Sequence, residues 1–229
     1  MQYRFFHIVT AGFVTCLIVS NIIAVKAISV GPFFLPVAVI IFPLSYLFGD
    51  ILTEVYGYSR ARQVIWIGFA FNALSVAAIW LSIAIPPAPF WTLGFGSPEK
   101  AQEAYAALFG FTPRLLAASL LAYLVGEFLN ASVLAKIKVA MKGRHLWVRT
   151  IASTLLGQLA DSAVFISLAF YGVIPTSVLG NMILTQWLAK SLYEALLTPV
   201  TYWAVGFLKR AEGEDVYDYE TNFNPFAAK

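Results

Sequence analysis

Residues 63–85, QVIWIGFAFNALSVAAIWLSIAI, hold no charged side chain. A run of that length spans the roughly 30 Å hydrocarbon core of a bilayer as a helix. Inside lipid, only a helix or a closed barrel satisfies its own backbone N–H and C=O groups. Five more segments share the apolar character, at about 5–25, 33 into the 50s, 114–136, 148–171 and 177–208. The chain therefore reads as an all-α integral membrane protein with six transmembrane helices. Charged residues make up 12% of the 229 positions, about half the usual share of a soluble domain. Residues 1–210 thus read as one six-helix transmembrane domain, and the polar residues 211–229 as a flexible cytoplasmic tail.

The connections are short except at 86–113. There SPEKAQEAYAALFG (97–110) has the marks of an amphipathic surface helix between helices three and four, with Ser97 as cap and Gly110 at the end. Lys and Arg are distributed unevenly. Arg4, Arg60, Arg62, Lys136, Lys138, Lys142, Arg144, Arg149, Lys209, Arg210 and Lys229 fall on one side of the predicted spans; Lys26, Lys100 and Arg114 fall on the other. Both termini are accordingly expected to face the cytoplasm.

Several chemistries are poorly served by this sequence. His7 and His145 are the only histidines and lie near span ends, which argues against a histidine metal centre. There is no G-x-S-x-G nucleophile turn and no phosphate-binding G-x-x-x-x-G-K-[ST] loop. No basic patch with interleaved aromatics points to nucleic acid, and Cys16 alone cannot form an internal disulfide. Neither an enzyme nor a cofactor is expected.

What remains is polar residues inside apolar spans. An ionisable group at the bilayer centre costs about 2.5–3.5 kcal/mol or more, so it usually faces the bundle interior and marks a pathway. Glu127, Asp161, Asn72 and Lys190 each fall about 15–22 Å into a span at about 1.5 Å per residue, near one level. Glu127 and Asn130, Gln158 and Asp161, and Gln186, Lys190 and Glu194 each form one helical stripe. The turn at YGVIP should bring Asp161 and Lys190 to matching depth. A purely structural ion pair would explain those two, but not the other polar groups beside them. Asp50 and Glu54 sit deeper, near the cytoplasmic end of span two, where Pro43 is expected to kink the helix. They either pair with Arg60 and Arg62 or tip inward. The spacing of these residues leads to a mid-membrane polar site and a carrier for a small polar solute.

SNIIAVKAI (20–28), FPLSYLFGDILTEVYGYSRARQVIW (42–66), STLLGQLADS (153–162) and the lone Lys190 resemble the queuosine precursor transporters, a group filed with vitamin uptake proteins related to the substrate-binding subunits of energy-coupling-factor transporters. The resemblance covers about residues 15–208. It implies six helices in a bacterial inner membrane and uptake of 7-deazaguanine bases such as 7-cyano-7-deazaguanine or 7-aminomethyl-7-deazaguanine. By position it carries over Asn21, Asp50, Thr53, Glu54, Gln158, Asp161 and Lys190. A guanine edge offers two neighbouring donors and one acceptor oxygen. Asp161 or Glu127 could accept from the donors, and Lys190, Gln158 or Asn130 could donate to the oxygen. Trp187, Phe165 and Tyr193 are candidate stacking platforms. Asp50 and Glu54, with Thr53 between them, are expected to shape a cytoplasmic gate or to supplement the site. The expected partners are a guanine-like solute and the lipid bilayer. The small residues Ala117, Ala118, Ala122 and Gly126 would suit a homodimer, a partner helix or the internal bundle. The alternative is a substrate-binding subunit that requires a separate ATPase module.

Overall fold

The computed structural model describes residues 3–30, 33–110, 113–173 and 175–227. Its helices are α1 (Phe6–Ile23), α2 (Phe42–Tyr56), α3 (Tyr58–Ala84), α4 (Pro98–Phe109), α5 (Pro113–Ala140), α6 (Leu146–Phe170) and α7 (Thr176–Glu212). Among the described residues, four regions hold helix long and apolar enough to cross a membrane: Phe6–Ile23, Tyr58–Ala84, a window within Pro98–Ala140, where α4 and α5 lie, and Leu146–Phe170. At about 1.5 Å per residue α7 would reach about 55 Å, but Gln186, Lys190 and Glu194 interrupt its apolar face. Elsewhere on α7, Leu188, Leu192 and Leu196 are exposed, as a helix facing lipid requires.

Span two departs from expectation. It is not one kinked helix running from residue 33. Ala27–Val30 (β1) and Phe33–Pro36 (β2) form an antiparallel hairpin, with Ala27 opposite Pro36, and a 3₁₀ turn over Val37–Ile40 leads into α2. Pro43 lies in the first turn of α2, where its missing N–H has no helical acceptor anyway, so it starts the helix and does not kink it. Twelve of the fifteen residues of α2 are buried, from Pro43 through Tyr56. With α1, α3, α5 and α7 all packed around it, a short helix this enclosed can carry Asp50 and Glu54 without presenting either to lipid.

The α5–α6 pair crosses on glycines. A Cβ at Gly157 would fall 2.8 Å from Asn130 Cβ, and one at Gly126 would fall 2.9 Å from Asp161 Cβ. Small residues let helix backbones approach closely in lipid, where apolar burial supplies little drive. Gly126, with Ala118 and Ala122 buried beside it, therefore serves the internal bundle. The helix expected at 97–110 is α4. Ser97 accepts from the Lys100 N–H at 3.4 Å, and Gln102 Nε2 holds the end of α3 through Ile83 O at 2.7 Å.

The C-terminal segment is not the loose tail that its polarity suggested. Gly213, at φ 69°, ends α7 in the left-handed region, and the chain then folds back over the end of the bundle. Neither Phe5 nor Gly57 caps its helix with a side chain; carboxylates from far along the chain do so instead. Glu212 accepts from the Arg4 and Phe5 N–H groups at 2.9 and 2.7 Å. Asp218 accepts the Tyr58 N–H with both oxygens at 3.1 Å. Beyond it, Arg62 donates to Asn222 O and Asn224 O, and Trp66 Nε1 donates to Pro225 O. Gly57, at φ 84°, leaves room for the tail: a Cβ there would meet Val216 Cγ1 at 2.7 Å. Asp218→Ala is expected to cost about 1–2 kcal/mol, as loss of a helix cap does, and to lower the melting temperature in detergent. An unchanged melting temperature would mean that the tail docks without contributing stability.

Candidate functional site

A cavity of about 550 Å³ opens at the end of the bundle remote from the termini. Its walls come from the last turns of α1, the start of α2, the first half of α5, the second half of α6 and the first half of α7. Asp161 and Lys190 lie on the wall and form an ion pair. The hairpin of α6 and α7 thus brings them to one depth, as expected. Lys190 Nζ also lies 4.5 Å from the centre of the Phe42 ring, a cation–π contact that steadies the ammonium. Phe165 and Phe170 contribute further aromatic wall, and Asn21 lines it while donating to Asn72 Oδ1 at 3.0 Å.

Below this pair lies a second polar layer. Asn130 Nδ2 donates to Asp50 Oδ1 at 2.8 Å, and Thr154 Oγ1 donates to Glu194 Oε1. Gln158 reaches Glu194 as well. Asp50 and Glu194 share the wall of a much smaller pocket. Glu127 is 1% exposed, and neither of its carboxylate oxygens has a hydrogen-bond partner among the described residues. Tyr46 Oη, Asn130 Oδ1 and Gln158 Oε1 are likewise buried and unpaired.

A third layer closes the end nearest the termini. Glu54 is fully buried and takes two bonds from Arg149, at 2.8 and 2.7 Å, and one from Lys209 at 2.6 Å. Lys138 Nζ donates to the Glu54 backbone carbonyl and to Asp215 Oδ1, each at 2.6 Å. Burial raises the Asp215 carboxyl, but the hydrogen bonds and charges of Lys138 and Lys209 outweigh it and hold the group below the usual carboxylate range. Its contribution is therefore present above its unfolded pKa of about 4 and is lost only as pH falls through the lower folded value.

The predicted residues thus separate. Asp161, Lys190 and Asn21 line the cavity. Glu127, Asn130 and Gln158 lie beneath it with Asp50. Trp187 is not on the cavity wall, because its indole N–H donates to Leu155 O at 2.9 Å. Tyr193 is directed instead to Ile40 O at 3.5 Å. Thr53 bonds back to Gly49 O in its own helix at 3.0 Å. Glu54 does not pair with Arg60 or Arg62: Arg60 stacks on the Tyr3 ring at 4.1 Å, and Arg62 binds the tail. Two residues the sequence reading left out of the site belong near it. Phe42 stood in the quoted block, one residue before Pro43, and Glu194 stood in the α7 stripe. The cations around Glu54 had no local signal, since Arg149 is 95 positions away.

Comparison with known proteins agrees with a transporter. Residues 36–204 match the family model described as "Putative vitamin uptake transporter". A "Probable queuosine precursor transporter" of Bacillus subtilis (strain 168) is 28% identical over 193 residues, 83% of this chain and 80% of that protein. The "Queuosine precursor transporter" of Escherichia coli (strain K12) is 27% identical over 130 residues, 57% of this chain. A "Probable queuosine precursor transporter" of Haemophilus influenzae (strain ATCC 51907 / DSM 11121 / KW20 / Rd) is 32% identical over 130 residues, again 57% of this chain. The matched part spans about half the length of these last two relatives, 52% and 49%. No solved structure matches the chain.

Proposed function

This chain belongs to the vitamin uptake transporter family and is a multi-pass transporter of the bacterial inner membrane; from that premise we propose that it imports a queuosine precursor, a 7-deazaguanine base such as 7-cyano-7-deazaguanine or its 7-aminomethyl relative. The observation that carries the reading is the Asp161–Lys190 pair on the wall of an aromatic-lined cavity. A guanine-like edge presents two N–H donors beside one acceptor oxygen. Asp161 accepts the two donors, and Lys190 gives a proton of its ammonium to a hydrogen bond with the oxygen. The pair is neutral overall, so a neutral base replaces one set of partners with another and leaves no buried charge unanswered. Phe42 and Phe165 supply faces against which a flat ring stacks. A cavity of about 550 Å³ lies within the roughly 300–1,000 Å³ usual for small-molecule sites.

The test is the purified protein alone in liposomes, with labelled 7-cyano-7-deazaguanine outside. Saturable uptake, competed by excess guanine, is expected. Asp161→Asn removes a charged acceptor and is expected to weaken binding about 10- to 100-fold. Tight binding without uptake would make this a binding subunit that awaits an ATPase module. Absence of both would overturn the assignment of the solute.

A further inference from the structure

Among the described residues, three carboxylates of the middle layer have no cation. Asp50 has an amide donor, Asn130, and Glu194 has Thr154 and Gln158. Glu127 has none: both oxygens are unpaired at 1% exposure. Five titratable groups on four helices lie close enough to act on its charge. From α2 come Tyr46 and Asp50, from α5 itself Tyr123, from α6 Asp161, and from α7 Glu194. All of these are phenols or carboxyl groups, and none is a cation. The cations are committed elsewhere, Lys190 to Asp161 and Arg149, Lys138 and Lys209 around Glu54. An ionised carboxylate buried with neither a cation nor a donor is too costly to persist, and such a group takes a proton instead. No cluster of three or more His, Cys, Asp or Glu side chains among the described residues could hold a metal ion.

We propose that Glu127 is the proton site of this transporter and that one proton enters on its carboxylate with each solute molecule. The inference rests on the solute reading above. Glu127 faces Asp161, whose charge Lys190 offsets while the ion pair stands. When a base enters between Asp161 and Lys190, its neutral N–H groups take the place of the ammonium at Asp161, and Glu127 then meets a carboxylate that is hydrogen-bonded but no longer beside a cation. The proton on Glu127 is then held more tightly. By reciprocity a protonated Glu127 binds the solute more tightly by the same factor. Proton and solute therefore load together from the outer cavity and leave together on the side where protons are scarce.

The decisive quantity is the steady-state concentration ratio in liposomes that hold the full chain, because a ratio does not depend on the rate at which it is reached. With the outside one pH unit more acidic and the membrane potential clamped at zero by potassium and valinomycin, the labelled base should accumulate about tenfold at one proton per solute. A sodium gradient at equal pH should leave the ratio at one. In Glu127→Gln the ratio should stay at one under the same pH gradient, while Glu127→Asp should keep the accumulation. Infrared spectroscopy of the wild-type protein at neutral pH should also show the carbonyl stretch of a protonated carboxylic acid. Equilibration that ignores the pH gradient, accumulation driven by sodium, or a missing infrared band would overturn the proton site and leave the solute assignment standing. No uptake in any arm would overturn both.

Discussion

Glu54→Ala is expected to destabilise the protein by about 3–5 kcal/mol, the cost of stripping one partner from a buried ion pair. Glu54 has no exposed surface, and neither does the Lys138 side chain; that of Arg149 is 2% exposed. Removing the carboxylate strips the buried Arg149 guanidinium of its acid partner and leaves Lys138 and Lys209 to share Asp215. Melting in detergent should fall sharply, and much of the protein should aggregate on extraction. Glu54→Gln keeps two hydrogen-bonding atoms and should lose less. Replacing Glu54 and Arg149 together with Leu and Met should recover part of the loss, because packed apolar residues often substitute for a buried pair without net cost. A shift below about 1 kcal/mol for Glu54→Ala would place the cluster with surface ion pairs, which contribute little. Asp50→Asn, which retains a bond to Asn130, should be much milder. The two acids sit four residues apart but belong to different layers.

The Asp161–Lys190 pair separates a structural role from a functional one. Its side chains are 7% and 18% exposed, so water reaches both. Asp161→Leu with Lys190→Met should leave the fold intact, since neither partner is left alone and the cavity wall becomes apolar. Binding of 7-cyano-7-deazaguanine should nevertheless fall by at least about 100-fold. Two charge-assisted contacts at about 1.5–3 kcal/mol each would be lost. Calorimetry of binding beside a melting curve reads both quantities. A double variant that melts normally and still binds would reduce the pair to self-neutralising structure and remove it from the site.

Much of the frame was legible in the order of residues. Apolar length located α1, α3, α5, α6 and α7 to within a few positions, because a bilayer sets the same requirement for every helix that crosses it. Breakers and caps placed α4 as well. Helical spacing grouped Glu127 with Asn130 and Lys190 with Glu194, and the turn at YGVIP matched Asp161 to Lys190. The short second span was harder to read. A helix enclosed on all sides need not be uniformly apolar, and hydropathy has no means of distinguishing it from a lipid-facing one. Pro43 was read as a kink because only the position of the first helical turn, set by the hairpin before it, decides between a break and a start.

The sequence by itself determined what each segment must do to survive in lipid. Long apolar runs must be helical, and ionisable residues within them must face inward. Tertiary structure decided which inward-facing groups meet. It gave Glu54 the Arg149 and Lys209 side chains rather than the nearby Arg60 and Arg62. It took the caps of α1 and α3 from Glu212 and Asp218, and it left Glu127 with no partner among the described residues. The physical reason is one of range. Backbone hydrogen bonding and burial act over a few residues and are encoded locally, whereas a carboxylate's partner is whatever cation the packed helices carry to it, however distant along the chain.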